Sequence, residues 1–273
     1  MNAHASAARA ERTQPIHVGE HLREWRQRRH LSQLDLAGDA EISARHLSFV
    51  ETGRAAPSRE MVLKLAERLE VPLRERNVLL VAAGFAPAFP QRPLDDPALN
   101  SARRAIDLVL KAHEPNPALA YDRHWNLVTA NRMVAPLLEG VPERLLGQPF
   151  NILRLAFHPE GLAPRTVNLA EWAAHLLDRL HRQCEATADP ELIKLYNDLR
   201  SYPLPARSGP VSPDNVAIPF KLRHNGDVLS FISTTMVFGT PVDVTLSELA
   251  LETFFPADDL TANRMREIAA SMK

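Results

Sequence analysis

The sequence predicts two domains, an all-α domain of five helices followed by an α+β domain with an antiparallel sheet of about five strands. Three observations carry that expectation. Residues 31–57, LSQLDLAGDAEISARHLSFVETGRAAP, contain two short helical patterns set close together. Residues 85–97, FAPAFPQRPLDDP, hold four prolines in thirteen positions, the composition of a stiff extended linker. After residue 217 the apolar residues change from helical spacing to alternation, as strands require. A chain of 273 residues is also longer than one small helical module needs.

The first helix is expected over residues 18–29, with Val18, Leu22 and Trp25 on one face. Ser32 is an N-cap, and Asp35 three residues on completes a capping box that starts the second helix at Gln33. Ala37 is small enough to let that helix lie close to its successor. Ile42, Leu47 and Val50 supply the apolar stripe of the third helix, and Gly53 follows where a helix C-terminus needs a positive φ. A fourth helix over residues 58–69 turns Met61, Val62, Leu65 and Ala66 inward. Pro72 opens a fifth, which ends near Ala83 and Gly84. The helical domain is therefore residues 17–84, behind a flexible arm of residues 1–16.

Gln33, Ala37, Ile42, Leu47, Val50, Glu51, Gly53 and Pro57 stand at a spacing that resembles the helix-turn-helix of XRE-family regulators. That lambda-repressor-like fold places the second helix of the motif in the major groove of double-stranded DNA. One residue departs from the pattern: Glu41 stands where the turn usually carries Gly, at a cost of about 1 kcal/mol if it is left-handed. The resemblance implies that base reading falls to Ser43, Ala44, Arg45, His46 and Phe49. Arg45 suits a bidentate contact with guanine. Phe49 can touch a thymine methyl group or pack on a neighbouring helix. Gln33, Thr52, Arg54 and Arg59 match phosphate-anchoring places, the less favoured alternative for Arg54 being a solvated loop charge. Residues 1–92 hold 14 Lys+Arg against 11 Asp+Glu and the remainder 18 against 22, an asymmetry of the sign DNA binding favours. A homodimer is expected, since one module reads only a few base pairs.

In the second domain, residues 98–273, an amphipathic helix is expected over residues 99–113 with Ile106, Val109 and Leu110 inward. Short strands at residues 118–121 and 126–129 flank the turn DRHW, and residues 131–138 return to helix. Asn168 is expected to cap a helix whose stripe is Leu169, Trp172, Ala173, Leu176, Leu177 and Leu180. Leu192, Leu195, Tyr196 and Leu199 mark the next. Asn225-Gly226 is a strong hairpin signal, setting Leu222 opposite Leu229, Phe220 opposite Phe231 and Ile218 opposite Ser233. Gly239-Thr240-Pro241 then turns the chain into a strand through Val242, Val244 and Leu246.

The segment YDRHWNLVTAN at residues 121–131, the helix around Trp172, and FISTTMVFGTPVDVTLSELALETFFP at residues 231–256 resemble the MmyB-like regulators. Those join this helix-turn-helix to a PAS-like ligand-binding domain. The resemblance implies a transcription factor whose second domain holds an apolar small molecule, a fatty-acid-like one included. The candidate pocket lies between the sheet face Ile218, Phe220, Phe231, Ser233, Thr235 and Val237 and the helix carrying Trp172 and Leu176. Hydroxyls of Ser233 or Thr235 can orient a head group, or these are simply good strand residues. The rival reading is a solid, ligand-free dimerisation or protein-interaction platform.

Composition excludes other classes. Hydrophobic residues make up 45% of the chain, enough for real cores. The single cysteine, Cys184, allows no intrachain disulfide and fits a reducing cytoplasm. No run of 18 apolar residues suggests a membrane span, and the first residues lack a secretory apolar region. Ala83-Gly84 is a dipeptide that self-cleaving repressors use, but no serine–lysine pair accompanies it and a helix cap explains it. Glu171, His175 and Asp178 share a helix face, with His181 and Cys184 beyond, but zinc sites draw ligands from more than one close pair. No catalytic residue, metal or dedicated cofactor is expected.

Overall fold

The computed structural model describes residues 17–205 and 218–272. The expected arm lies outside the described residues. Two compact units divide between Phe89 and Pro90, inside the proline-rich segment.

The first unit is five helices: α1 (Val18–Arg28), α2 (Gln33–Asp39), α3 (Ala44–Glu51), α4 (Arg59–Arg68) and α5 (Leu73–Ala82). Ser32 and Asp35 form the expected capping box at α2. Ser43 and Ser58 cap α3 and α4 in the same way, each hydroxyl accepting a backbone N–H of the first turn. Leu22, Leu36, Leu47, Val50, Leu65 and Leu80 meet in one buried core. Glu41 does adopt a left-handed conformation, φ 52°, and its carboxylate accepts from Lys64 Nζ at 2.8 Å. Gly19 shows why α1 and α3 can cross closely. A Cβ there would collide with the Val50 carbonyl oxygen and lie 2.8 Å from that of Glu51. The chain after α5 stays with this unit: the Asn77 side chain accepts from the Ala88 and Phe89 amides and donates to the Phe89 carbonyl.

The second unit is a five-stranded antiparallel sheet, β1 (Ala118–Tyr121), β2 (Leu127–Ala130), β3 (Phe220–His224), β4 (Asp227–Val237) and β5 (Ala250–Pro256), in spatial order β2-β1-β5-β4-β3. Helix α6 (Asn100–Ala112) covers one face through Ile106 and Leu110. The other face meets α7 (Ile152–Phe157), α8 (Leu169–Thr187) and α9 (Pro190–Arg200), with α10 (Val244–Ser247) and α11 (Asp259–Ser271) completing the unit. Residues 90–92 belong here, Pro90 accepting from the Val244 amide at 2.8 Å and Arg92 pairing with Asp243 at 3.0 Å.

The hairpin register is the expected one at Phe220–Phe231 and Leu222–Leu229, with Asn225 and Gly226 both at positive φ. Several details differ. Ile218 does not pair with Ser233, because β3 begins at Phe220 and Ser233 instead faces Phe254 of β5. Val244 and Leu246 are in helix α10, not a strand. Asp243 accepts from the Thr245 amide and starts that turn, so the last strand begins at Ala250. Asn168 makes no cap bond; its side chain is spent on the Pro219 carbonyl and the Lys221 amide, which tie α8 to β3. Val109 is exposed, because α6 turns only Ile106 and Leu110 to the sheet. Residues 131–138 are helical only in a 3₁₀ turn at Ala135–Leu138, where Pro136 lacks the N–H a longer helix needs.

Candidate DNA-facing helix and effector cavity

Helix α3 is held at its base by a buried polar group. Arg26 of α1, 8% exposed, grips Glu51, 4% exposed, through Nε and Nη2 at 2.7 and 2.8 Å, and its Nη1 donates to the Leu31 carbonyl. That hydrogen-bonded carboxylate raises the Arg26 pKa against the opposing effect of burial. Gln33 donates its amide to the same carboxylate at 2.8 Å. Three helices are thereby fixed relative to one another, and the face of α3 away from the core is left open.

Of the residues expected at DNA, Ser43 and Thr52 cap α3, Ala44, Arg45, His46 and Phe49 lie on it, Arg54 follows it and Arg59 opens α4. Ser43, Arg45, Thr52, Arg54 and Arg59 are exposed, while Ala44, His46 and Phe49 are half-buried. The Arg45 guanidinium lies over the Phe49 ring at 5.3 Å, so Phe49 both orients Arg45 and packs locally. The Thr52 hydroxyl donates to the Ser48 carbonyl at 2.7 Å. Gln33 is the residue whose placement departs most from expectation, since its amide is engaged by Glu51.

In the second unit, an apolar cavity of about 120 Å³ lies between the inner face of the sheet and the helices over it. Leu119 and Trp125 wall it on one side, Phe220, Phe231 and Phe254 on another, Leu153 of α7 and Trp172 and Leu176 of α8 on the others. Trp125 owes its position to the DRHW turn. It sits at φ 67°, where the Asp122 carboxylate accepts from the His124 and Asn126 amides on either side. Its ring stacks on Tyr121 with centroids 4.7 Å apart, and its indole N–H donates to Gln183 of α8.

Every wall residue is hydrocarbon or aromatic except Glu252, which is 5% exposed. Its Oε2 accepts from Arg179 at 3.0 Å, Thr235 at 3.1 Å and the Tyr121 hydroxyl at 3.3 Å, while Oε1 accepts from Arg179 at 3.3 Å. Arg179 also donates to Tyr121 and Thr235 and lies over the Trp125 ring at 4.6 Å. Burial first, and the Glu252 charge second, push the Tyr121 phenol well above its usual range, so it stays a neutral donor.

Residues 102–268 match the family described as the MmyB-like transcription regulator ligand binding domain, which spans the sheet and the whole cavity. The chain belongs to the MmyB-like transcription regulator family. A helix-turn-helix family matches residues 22–76 of this MmyB-like protein, from α1 into α5. The HTH-type transcriptional regulator DdrOP3 of Deinococcus deserti is 39% identical over 87 residues, which cover 30% of this chain and 67% of that protein. The crystal structure of the clp gene regulator ClgR from Corynebacterium glutamicum is 23% identical, covering 36% of this chain and 90% of its own, with a TM-score of 0.22. The MmyB-like chain is thus a DNA-binding transcription regulator with a helix-turn-helix and a domain of ligand-binding type. No described helix is long and apolar enough to cross a membrane, and no described residues cluster as a metal site.

Of the pocket residues expected in this MmyB-like domain, Trp172, Leu176, Phe220 and Phe231 wall the cavity. Ile218, Ser233, Thr235 and Val237 do not. Ile218 precedes β3 and packs at the edge of the core. Beyond Phe231, β4 pairs with β5 alone; Ser233 is half-buried beside Phe254, Thr235 is claimed by Arg179 and Glu252, and Val237 at the strand end is 67% exposed. The walls that sequence reasoning missed, Trp125, Leu153, Phe254 and Glu252, come from three separated segments, the β1–β2 turn, α7 and β5. The DRHW turn was the only local signal, and it marks Trp125.

Proposed function

We propose that this MmyB-like regulator binds a two-fold DNA operator as a cytoplasmic homodimer, and that an apolar small molecule in the Trp125/Trp172 cavity adjusts its affinity for that operator. Arg45 reads a base, and Arg54 and Arg59 hold phosphates. The observation that supports effector control is an apolar cavity of about 120 Å³ inside the domain of ligand-binding type. A cavity of that order, about 150 Å³ in a well-studied engineered case, stays dry and takes a benzene-sized molecule. A fatty-acid-like effector, the form the family resemblance suggests, needs the walls to move apart; each methylene it buries contributes about 0.8 kcal/mol towards that movement. Such a ligand regulates only if it binds the DNA-competent and incompetent states unequally.

The test is a thermal-shift series on delipidated full-length protein with alkyl and aromatic compounds of increasing size, repeated on Leu176→Phe, which fills the cavity. A ligand that favours the folded chain raises the melt by RT ln(1 + [L]/Kd). Shifts in the wild type that vanish in Leu176→Phe, together with a changed affinity for a selected operator, are the expected result. No shift with any compound would sink the effector reading and favour the interaction platform.

A further inference from the structure

We infer that the DRHW turn and α10 form a mechanical relay from the cavity to the junction of the two units, and that the Arg123–Glu248 pair is the contact that transmits. The inference rests on the effector reading above and names how that cavity is coupled to DNA binding. The junction is short. Phe89 is fastened within the first unit, its amide and its carbonyl both bonded to Asn77. The next residue, Pro90, is fastened within the second, accepting from the Val244 amide at 2.8 Å. Arg92 pairs with Asp243 at 3.0 Å, and its carbonyl accepts from the Thr245 hydroxyl. Helix α10, with Asp243 before it, thus holds the start of the second unit.

The other end of α10 is capped by Glu248, whose Oε1 lies 3.7 Å from Arg123 Nη1. The same Nη1 is 3.3 Å from Asp189 Oδ2 at the start of α9. A guanidinium shared between carboxylates on two helices has two arrangements, and a relay needs such an element. Arg123 does not move independently of the cavity wall. Its carbonyl accepts from Gln183 Nε2 of α8 at 3.0 Å, and the Trp125 indole donates to Gln183 Oε1 at 2.8 Å. Inside the turn, the Trp125 amide donates to the Asp122 carbonyl at 2.9 Å. A wall that parts to admit a ligand, at Trp125 or along α8, carries Arg123 with it. Asp189 follows α8 directly in the chain and moves with it. Glu248 stands before β5 instead, so its contact with Arg123 is the one that opens or tightens. That change reaches residues 90–92 through α10, and the placement of two helix-turn-helix units on their half-sites sets operator affinity.

The experiment uses dodecanoate and toluene as probes on the delipidated full-length protein, reading the melt, the affinity for a selected operator and hydrogen exchange at the Val244 amide. Wild type, Glu248→Gln, Arg123→Gln and Arg123→Lys are compared. In the wild type a bound probe is expected to raise the melt, change operator affinity at least about fivefold and alter Val244 exchange. In Glu248→Gln and Arg123→Gln the melt shift should remain, since neither residue walls the cavity. The change in operator affinity should drop below about twofold there, and Val244 exchange should no longer respond. Arg123→Lys keeps the cation and should keep most of the coupling. If Arg123→Gln does not fold, Glu248→Gln decides. Full coupling in Glu248→Gln, or a wild-type melt shift with no change in operator affinity, would overturn the relay and leave the cavity a binding site. Failure of both probes, and of the wider size series, to shift the wild-type melt would remove the effector reading and the relay with it.

Discussion

Arg26 and Glu51 meet as a bidentate ion pair between the first and third helices, at 2.7 and 2.8 Å, with Gln33 of the second helix donating to the same carboxylate. Both charges are buried, so removing one strands the other. Glu51→Ala is expected to cost about 3–5 kcal/mol in urea unfolding of the helix-turn-helix unit, whereas an Arg26→Met/Glu51→Leu pair should recover most of it. A double variant as unstable as the single ones would show that the pair is not the source of the loss. Gln33→Ala should cost only about 1 kcal/mol, the worth of one hydrogen bond. An operator affinity that falls while stability holds would instead restore Gln33 to the phosphate backbone.

Gly19 permits α1 to cross α3 at backbone contact. Gly19→Ala puts a methyl group against the Val50 and Glu51 carbonyls, neither of which is a flexible chain end. The substitution should destabilise the unit by about 1–3 kcal/mol through overpacking, although alanine is the better helix former. A melt equal to the wild type would mean that the two helices can part without cost.

Arg45 and Arg54 should separate cleanly by salt. Arg45→Ala is expected to cost about 1–3 kcal/mol on the preferred operator and to relax one position of the selected sequence. Arg54→Ala should weaken all sequences alike and lower the slope of log K against log salt by about 1. An unchanged sequence preference in Arg45→Ala would move base reading elsewhere on α3.

Acid should weaken the second unit through two histidines. Burial holds the His175 and His224 imidazoles below the usual 6.5, with Arg179 adding to the effect at His175 and Arg165 at His224. The folded chain therefore favours their neutral forms, and the unfolded chain binds more protons once pH falls past 6.5. Stability present above that pH is lost progressively below it, until the folded-state imidazoles also protonate. Urea midpoints measured above and below this window should fall on acidification, and fall less in His175→Gln/His224→Gln. An identical acid loss in that variant would assign it to other groups.

The sequence by itself determined the helical unit almost completely. Its signals are local: Ser32 with Asp35, Gly53 after α3, and apolar stripes at helical spacing each report on neighbours within a turn or two. The Asn225-Gly226 hairpin was legible for the same reason, since a two-residue loop sets its own register. The breakdown came where partners are distant along the chain. Ser233, Thr235 and Val237 share the alternation of Phe231, but only the tertiary structure decided that β4 leaves β3 at that point and that Arg179 covers its inner face. Asn168 resembles a cap, yet Pro219 and Lys221, some fifty residues on, claim its side chain. The wall of the cavity joins Trp125, Leu153, Trp172 and Glu252, whose common property is a place in space rather than a spacing. Periodicity reports which face of an element is buried. What that face meets depends on long-range packing, and a charged wall residue such as Glu252 becomes visible only once its partners Arg179, Tyr121 and Thr235 have been brought around it.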